Sequence, residues 1–159
     1  MTDANKQSLI RPATLADIRA MLELDRLSPT AAHWTERQYG DALQPAEGNT
    51  QRLIIIAESD PDKAISAFLI AHHISPECEL ENIVVAQSAR RQGLATQLLD
   101  ALLTRARDTN SESIFLEVRE SNTAARTLYE RFGFQQTGRR KAYYANPLED
   151  AILYRLHLK

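Results

Sequence analysis

Apolar residues along this chain recur at two spacings, and the switches between them mark out the elements. Ser8-Leu9-Ile10-Arg11 reads as a short strand. Thr14 then stands as an N-cap with Asp17 three residues on, the capping-box pattern. Leu15, Ile18, Met21, Leu22 and Leu24 follow at mostly helical spacing and predict a helix to about Leu27, where Ser28-Pro29 breaks it. Thr35 to Gln38 repeats the capping-box pattern and predicts a short helix to about Leu43, with a loop from Pro45 to Asn49. Residues 52–58 and 64–71 are β-rich, and Ser59-Asp60-Pro61-Asp62 between them carries turn chemistry, so the two predict a hairpin. Glu79 to Val85 is the next strand.

From Gln92 to about Asp108, Leu94, Leu98, Leu99, Leu102 and Ala106 define an amphipathic helix. Ser113 to Val118 is a strand that can follow it in parallel, which makes a β-α-β unit. Ser121 is placed to cap a further helix, whose Ala125, Leu128, Tyr129 and Phe132 share a face and which Gly133 ends. Phe134 to about Tyr144 and Asp150 to Leu158 are the last strands, with Asn146-Pro147 in the turn. The order is that of a mixed α/β sheet with helices on its faces.

The 159 residues fit a single domain spanning 1–159. Apolar content of 43% and charged content of 25% are those of an ordinary globular protein. A net charge of −2 argues against direct nucleic-acid binding, which needs a basic surplus. Local basic clusters such as Arg139-Arg140-Lys141 are candidate contact points. The single cysteine, Cys78, excludes an internal disulfide and fits a reducing compartment. Met1 to Ser8 is polar and unlike a signal peptide, and the apolar runs Leu53–Ala57 and Ala67–Ala71 are too short to span a bilayer. The expectation is a cytoplasmic protein without a membrane partner.

The chemistry concentrates in three places. Arg90-x-x-Gly93-x-Ala95 opens a helix with small residues, and a helix start presents unpaired N–H groups and a positive dipole end to an anion. Arg90 and Arg91 can add charge-assisted contacts, although small residues at a helix start also serve packing alone. Glu117 interrupts the apolar strand Ile114 to Val118 and points with Phe115 rather than with Leu116. A carboxylate among apolar neighbours gains the basicity a general base needs; an ion-paired strand residue is the plainer alternative. Tyr129 reads as core by its periodicity, and Asn122 as a polar residue at the first turn of its helix.

These stretches resemble the GNAT-type N-acetyltransferases, and the last two-thirds of the chain is most similar to the ribosomal-protein-alanine (RimI-type) branch. The residues that carry the resemblance are Asn82 to Val85, Arg90 to Ala95, Leu116 to Asn122, Leu128-Tyr129, Gly133-Phe134, Arg140 to Tyr144 and Glu149 to Ile152. It implies a mixed, mostly antiparallel sheet with a splayed central parallel pair and helices on both faces. It also implies that acetyl-coenzyme A binds at the splay as cosubstrate, without a metal. On that resemblance Arg90, Arg91, Gln92, Gly93, Leu94, Ala95 and Thr96 hold the pyrophosphate, with Ala95 standing where glycine is common. The strand Ile83, Val84 and Val85 offers main-chain bonds to the pantetheine arm, and an N–H near Val85 polarises the thioester. Asn122 matches a cofactor-contacting position, Glu117 the general base and Tyr129 the general acid. The implied reaction is direct acetyl transfer to a protein N-terminus, that of an N-terminal alanine in a small-subunit ribosomal protein, by an enzyme expected to be a monomer.

Two alternatives keep the fold: a lysine side chain or small amine as acceptor, and a coenzyme A-binding module without chemistry. Acidic density at Glu77, Glu79, Glu81 and Glu120 near Glu117 either attracts a basic terminus or is a solvated face. His33-Trp34 is either part of the substrate side or a hydrophobic staple. Tyr143-Tyr144 either closes over a peptide or packs the sheet. Cys78 has no His/Asn pattern to make it a nucleophile.

Overall fold

The computed structural model describes residues 8–45, 48, 50–59 and 62–158. Its seven strands form one sheet in the order β1-β2-β3-β4-β5-β7-β6. They are β1 (Ser8–Pro12), β2 (Thr50–Ser59), β3 (Ile65–Ile74), β4 (Glu77–Val85), β5 (Ser113–Arg119), β6 (Gln135–Tyr144) and β7 (Glu149–His157). Every neighbouring pair is antiparallel except β4 and β5. Those two run parallel because α3 (Leu94–Asp108) crosses between them. The expected hairpin forms from β2 and β3; Asp60 and Pro61 of its turn, and Ala46, Glu47 and Asn49 of the loop expected before it, lie outside the described residues.

Two cores separate on the sheet. On one face Leu94, Leu98, Leu99, Leu102 and Ala106 of α3 and Tyr129 of α4 (Thr123–Arg131) pack on Leu69, Leu80, Ile114, Leu116 and Ile152. On the other, Met21 of α1 (Ile18–Leu27) and Tyr39 of α2 (Glu36–Ala42) cover Ile54, Ile56, Phe68, Ile70 and Val84. Helices on both faces bury alternate residues of each central strand, which is why β2 and β3 read as nearly continuous apolar runs.

Both capping boxes form, Thr14 with Asp17 and Thr35 with Gln38. Three local expectations are corrected. Leu15 lies in a 3-10 turn ahead of α1 and is exposed rather than core, because the tighter turn breaks the helical phase. The third helix starts at Leu94, not Gln92, because Gly93 adopts a left-handed conformation at φ 76°. Asn122, not Ser121, caps α4: its side chain accepts the Ala125 N–H at 3.3 Å. Gly133 ends α4 at φ 94°, as a C′ glycine does.

Candidate active site

The strand pair at the centre of the sheet parts. The register of β4 with β5 runs only through Glu77↔Ser113, Cys78↔Ile114 and Glu79↔Phe115, whereas β5 stays paired with β7 to Arg119. Beyond Glu79, β4 keeps β3 alone. Val84 pairs with Phe68, Val85 with Ala67, and the Ala86 N–H donates to Ser66 O at 2.8 Å. Antiparallel pairing alternates its bonded residues, so Val84 and Ala86 turn their main-chain groups to β3. Ile83 and Val85 therefore turn theirs to the side that β5 has left. A row of N–H and C=O groups without a strand partner is a rail for an extended ligand. An open cleft of about 550 Å³ borders the end of this strand, lined by Leu24, Leu27, Ser28, Val85, Ala86 and Arg90. A second cleft, about 520 Å³, lies over Arg19, Glu23, His33 and Trp34 and includes none of the rail.

Directly after the rail the chain makes a 3-10 turn at Gln87–Ala89 and then the loop Arg90–Gly93. Arg91 at φ 64° and Gly93 at φ 76° are both left-handed. Arg90 before them is extended, so the loop bends sharply into the start of α3, where free N–H groups and the dipole suit an anion. Leu94, Ala95 and Thr96 then begin α3 with the N–H groups that have no helical partner. A Cβ at Gly93 would meet nothing within 4 Å, so its conformation rather than crowding calls for glycine. Among the described residues no group of three His, Cys, Asp or Glu could hold a metal, and no helix is long and apolar enough to cross a membrane.

Glu117 lies on β5 past the point of parting, on the face shared with Phe115 and opposite to the buried Leu116 and Val118. Its surroundings are ionic rather than the apolar ones its strand suggests. Arg140 Nε sits 3.0 Å from Glu117 Oε1, and the Tyr143 phenol reaches towards the same carboxylate, which pushes that phenol's pKa up. Sequence spacing marked Arg140 only as part of a basic cluster; nothing in the alternation of β6 foretells that it crosses β7 to meet Glu117. Neighbouring Glu81 is matched by Arg52 at 2.9 and 3.1 Å, and Arg52 lies over the Trp34 ring at 5.5 Å. Burial, then the charges of Glu81 and Glu117, push the Glu79 carboxyl above its usual range.

Tyr129 is 4% exposed, within the α3/α4 core, with ring centroids 5.7 Å from Phe134 and 6.3 Å from Tyr154. Burial drives its pKa up, and nearby Tyr144 adds to the rise. Tyr144 is itself pushed up to about 12, first by burial and then by Glu117. The Tyr143 and Tyr144 rings meet edge-on at 5.0 Å. Arg119 stacks over Tyr144 at 4.3 Å and holds the hairpin tip through Pro147 O at 3.3 Å.

A buried network that the sequence reading missed ties down the other wall. The Asp25 carboxylate, 1% exposed, accepts the N–H groups of His33 at 2.9 Å and Trp34 at 3.0 Å and the hydroxyl of Tyr39. The signal was present: Asp25 falls one turn after Met21, on the apolar face of α1. Trp34 packs on Tyr39 with centroids 5.5 Å apart, the N′–N4 contact of a hydrophobic staple. Asn82, buried in β4, leaves its Nδ2 without a partner among the described residues.

Comparison with known proteins agrees with this geometry. The acetyltransferase (GNAT) family model matches residues 17–134. A protein of Salmonella typhimurium named [Ribosomal protein bS18]-alanine N-acetyltransferase is 34% identical over 131 residues, 79% of this chain and 88% of that protein. The protein of the same name from Haemophilus ducreyi is 38% identical over 97 residues, 59% of this chain and 67% of its own. The crystal structure of the ribosomal-protein-S18-alanine N-acetyltransferase from Escherichia coli superposes with a TM-score of 0.80 at 27% identity, covering 96% of this chain and 95% of that one.

Proposed function

The chain belongs to the acetyltransferase (GNAT) family, and from that premise we propose that it acetylates the α-amine of a protein N-terminus, the N-terminal alanine of ribosomal protein bS18. As a GNAT enzyme it uses acetyl-coenzyme A as cosubstrate. The choice of acceptor is supported by the relatives named for that reaction, one of them matched over 88% of its length.

One observation carries the mechanism: the parting of β4 from β5 frees the Ile83 and Val85 main chain just before the Arg90–Gly93 turn, on the side of the strand that bears Glu117. In this reading Arg90 to Thr96 hold the pyrophosphate, and Asn122, at the start of α4, also contacts the cofactor. Ile83 and Val85 align the pantetheine arm; Val84, expected to join them, spends its main chain on β3 and its side chain in the core. The Val85 N–H faces the thioester oxygen, where negative charge grows during attack. Glu117 receives the proton that the amine sheds, directly or through water. An N-terminal amine has a pKa near 7.7–8, so a modest base suffices. Arg140 and Tyr143 keep that carboxylate in one orientation.

The amine nitrogen bonds to the acetyl carbon as the carbon–sulfur bond breaks and the thiolate leaves. Tyr129 stabilises that thiolate with its hydroxyl. Because burial raises its pKa, the phenol stays protonated at neutral pH and acts chiefly as a hydrogen-bond donor. No acyl-enzyme is invoked. The single cysteine, Cys78, is buried and its thiol is pushed up to about 11, so it is not a nucleophile at neutral pH. Rates of transfer by Glu117→Gln and Tyr129→Phe test the roles; wild-type rates in both would overturn them.

A further inference from the structure

We propose that Asp150 is a positioning residue for this reaction centre, holding the outward loop of β6 that brings Arg140, at its first end, and Tyr143, within it, onto Glu117. The proposal rests on the reading of Glu117 as proton acceptor. Its ground is the register of the last two strands. Arg140 pairs with Ala151 and Tyr144 with Glu149, so Lys141, Ala142 and Tyr143 all stand opposite Asp150. Such an insertion bends one strand away from its partner and re-aims the side chains at its ends. Here Arg140, at the first end, and Tyr143, the last inserted residue, are the ones that reach Glu117.

The loop does not hold its shape for free. Ala142 sits at φ 52°, in the left-handed region that disfavours any residue with a Cβ. Asp150 supplies the compensation. One carboxylate oxygen accepts the Ala142 N–H at 2.8 Å, and the other takes Arg139 Nη1 at 2.9 Å. The far side of the same guanidinium reaches Glu120 at 2.8 Å, and the Glu120 N–H returns to Asp150 O at 3.1 Å. Asp150 therefore locks the loop onto the end of β5, the strand that bears Glu117. The Ala142 N–H, then Arg139, hold its carboxyl below the usual range, as expected of an acceptor in use on both oxygens.

Steady-state kinetics with acetyl-coenzyme A and a bS18 N-terminal peptide test this in five variants: Asp150→Ala, Ala142→Gly, Glu117→Gln and the doubles Asp150→Ala/Ala142→Gly and Asp150→Ala/Glu117→Gln. Asp150→Ala is expected to lower kcat roughly tenfold, the size of effect that small misplacement of a reacting group produces, with KM for acetyl-coenzyme A unchanged. Ala142→Gly alone should stay near wild type. Added to Asp150→Ala it should restore most of kcat, because glycine takes the left-handed turn without a held N–H. In the Glu117→Gln background, loss of Asp150 should add less than about twofold, since residues acting as a unit are non-additive. Wild-type kcat in Asp150→Ala, no rescue by glycine, or multiplicative losses in the Glu117→Gln double would each overturn the proposal alone. Unchanged turnover in Glu117→Gln would overturn the base assignment beneath it.

Discussion

Arg140 on β6 reaches across β7 to meet Glu117 on β5, with Nε 3.0 Å from Oε1. A carboxylate that must accept a proton at one place gains from a partner that fixes its orientation. Arg140→Ala should lower kcat for peptide acetylation roughly tenfold, with little change in KM for acetyl-coenzyme A. Arg140→Lys, which keeps the charge and loses the planar fork, should fall between. Equal kcat in all three proteins would show that the pair has no part in turnover.

Gly93 is held at φ 76° with open space around it, so Gly93→Ala isolates backbone strain from crowding. An L side chain in that region costs about 1–2 kcal/mol. Coenzyme A affinity, measured by titration calorimetry, should weaken by about tenfold if the turn is the anion site. An unchanged Kd would place the pyrophosphate elsewhere.

Asn122 caps α4 through the Ala125 N–H, and the same residue is proposed to contact the cofactor. Asn122→Ala should destabilise the fold by about 1 kcal/mol, a Tm drop of roughly 2–4 °C. Asn122→Ser keeps the cap and should restore Tm. If Ser restores Tm but not coenzyme A affinity, the side chain has a second role beyond capping.

Asp17 accepts both arms of Arg11 at 2.8 and 2.9 Å, and that hydrogen bonding holds its carboxyl below the usual range. A depressed carboxyl contributes stability that is complete above its unfolded pKa, about 3.9, and is lost as pH falls through the lower folded value. The Tm gap between wild type and Arg11→Ala should therefore be constant from pH 7 to about 5 and narrow in strong acid. A gap that widens on acidification would contradict the assignment.

Legibility in the sequence followed the range of the interaction. The caps at Thr14 and Thr35 and the end of α4 at Gly133 depend on residues within a turn, and all were readable. The strands β2 to β5 and helix α3 follow from periodicity, which sums many residues. Leu15 and the first turn of α3 were misread because a 3-10 turn and a left-handed glycine shift phase without changing composition. The parting of β4 and β5 has no local signature at all, since a strand reads the same whether or not its neighbour stays; only resemblance to a family implied it. Glu117 stood out as a charge in an apolar strand. Its partner Arg140 did not, because it reaches the site through a loop in β6 that alternation cannot register.

The acceptor proposed for this enzyme is an N-terminal α-amine. Mass spectrometry of a bS18 N-terminal peptide after incubation with the protein and acetyl-coenzyme A tests it most directly, with the same peptide blocked at its N-terminus as the paired substrate. One acetyl group is expected on the alanine amine of the free peptide and none on the blocked one. Acetylation of lysine side chains in both peptides, with the alanine amine left untouched, would contradict it.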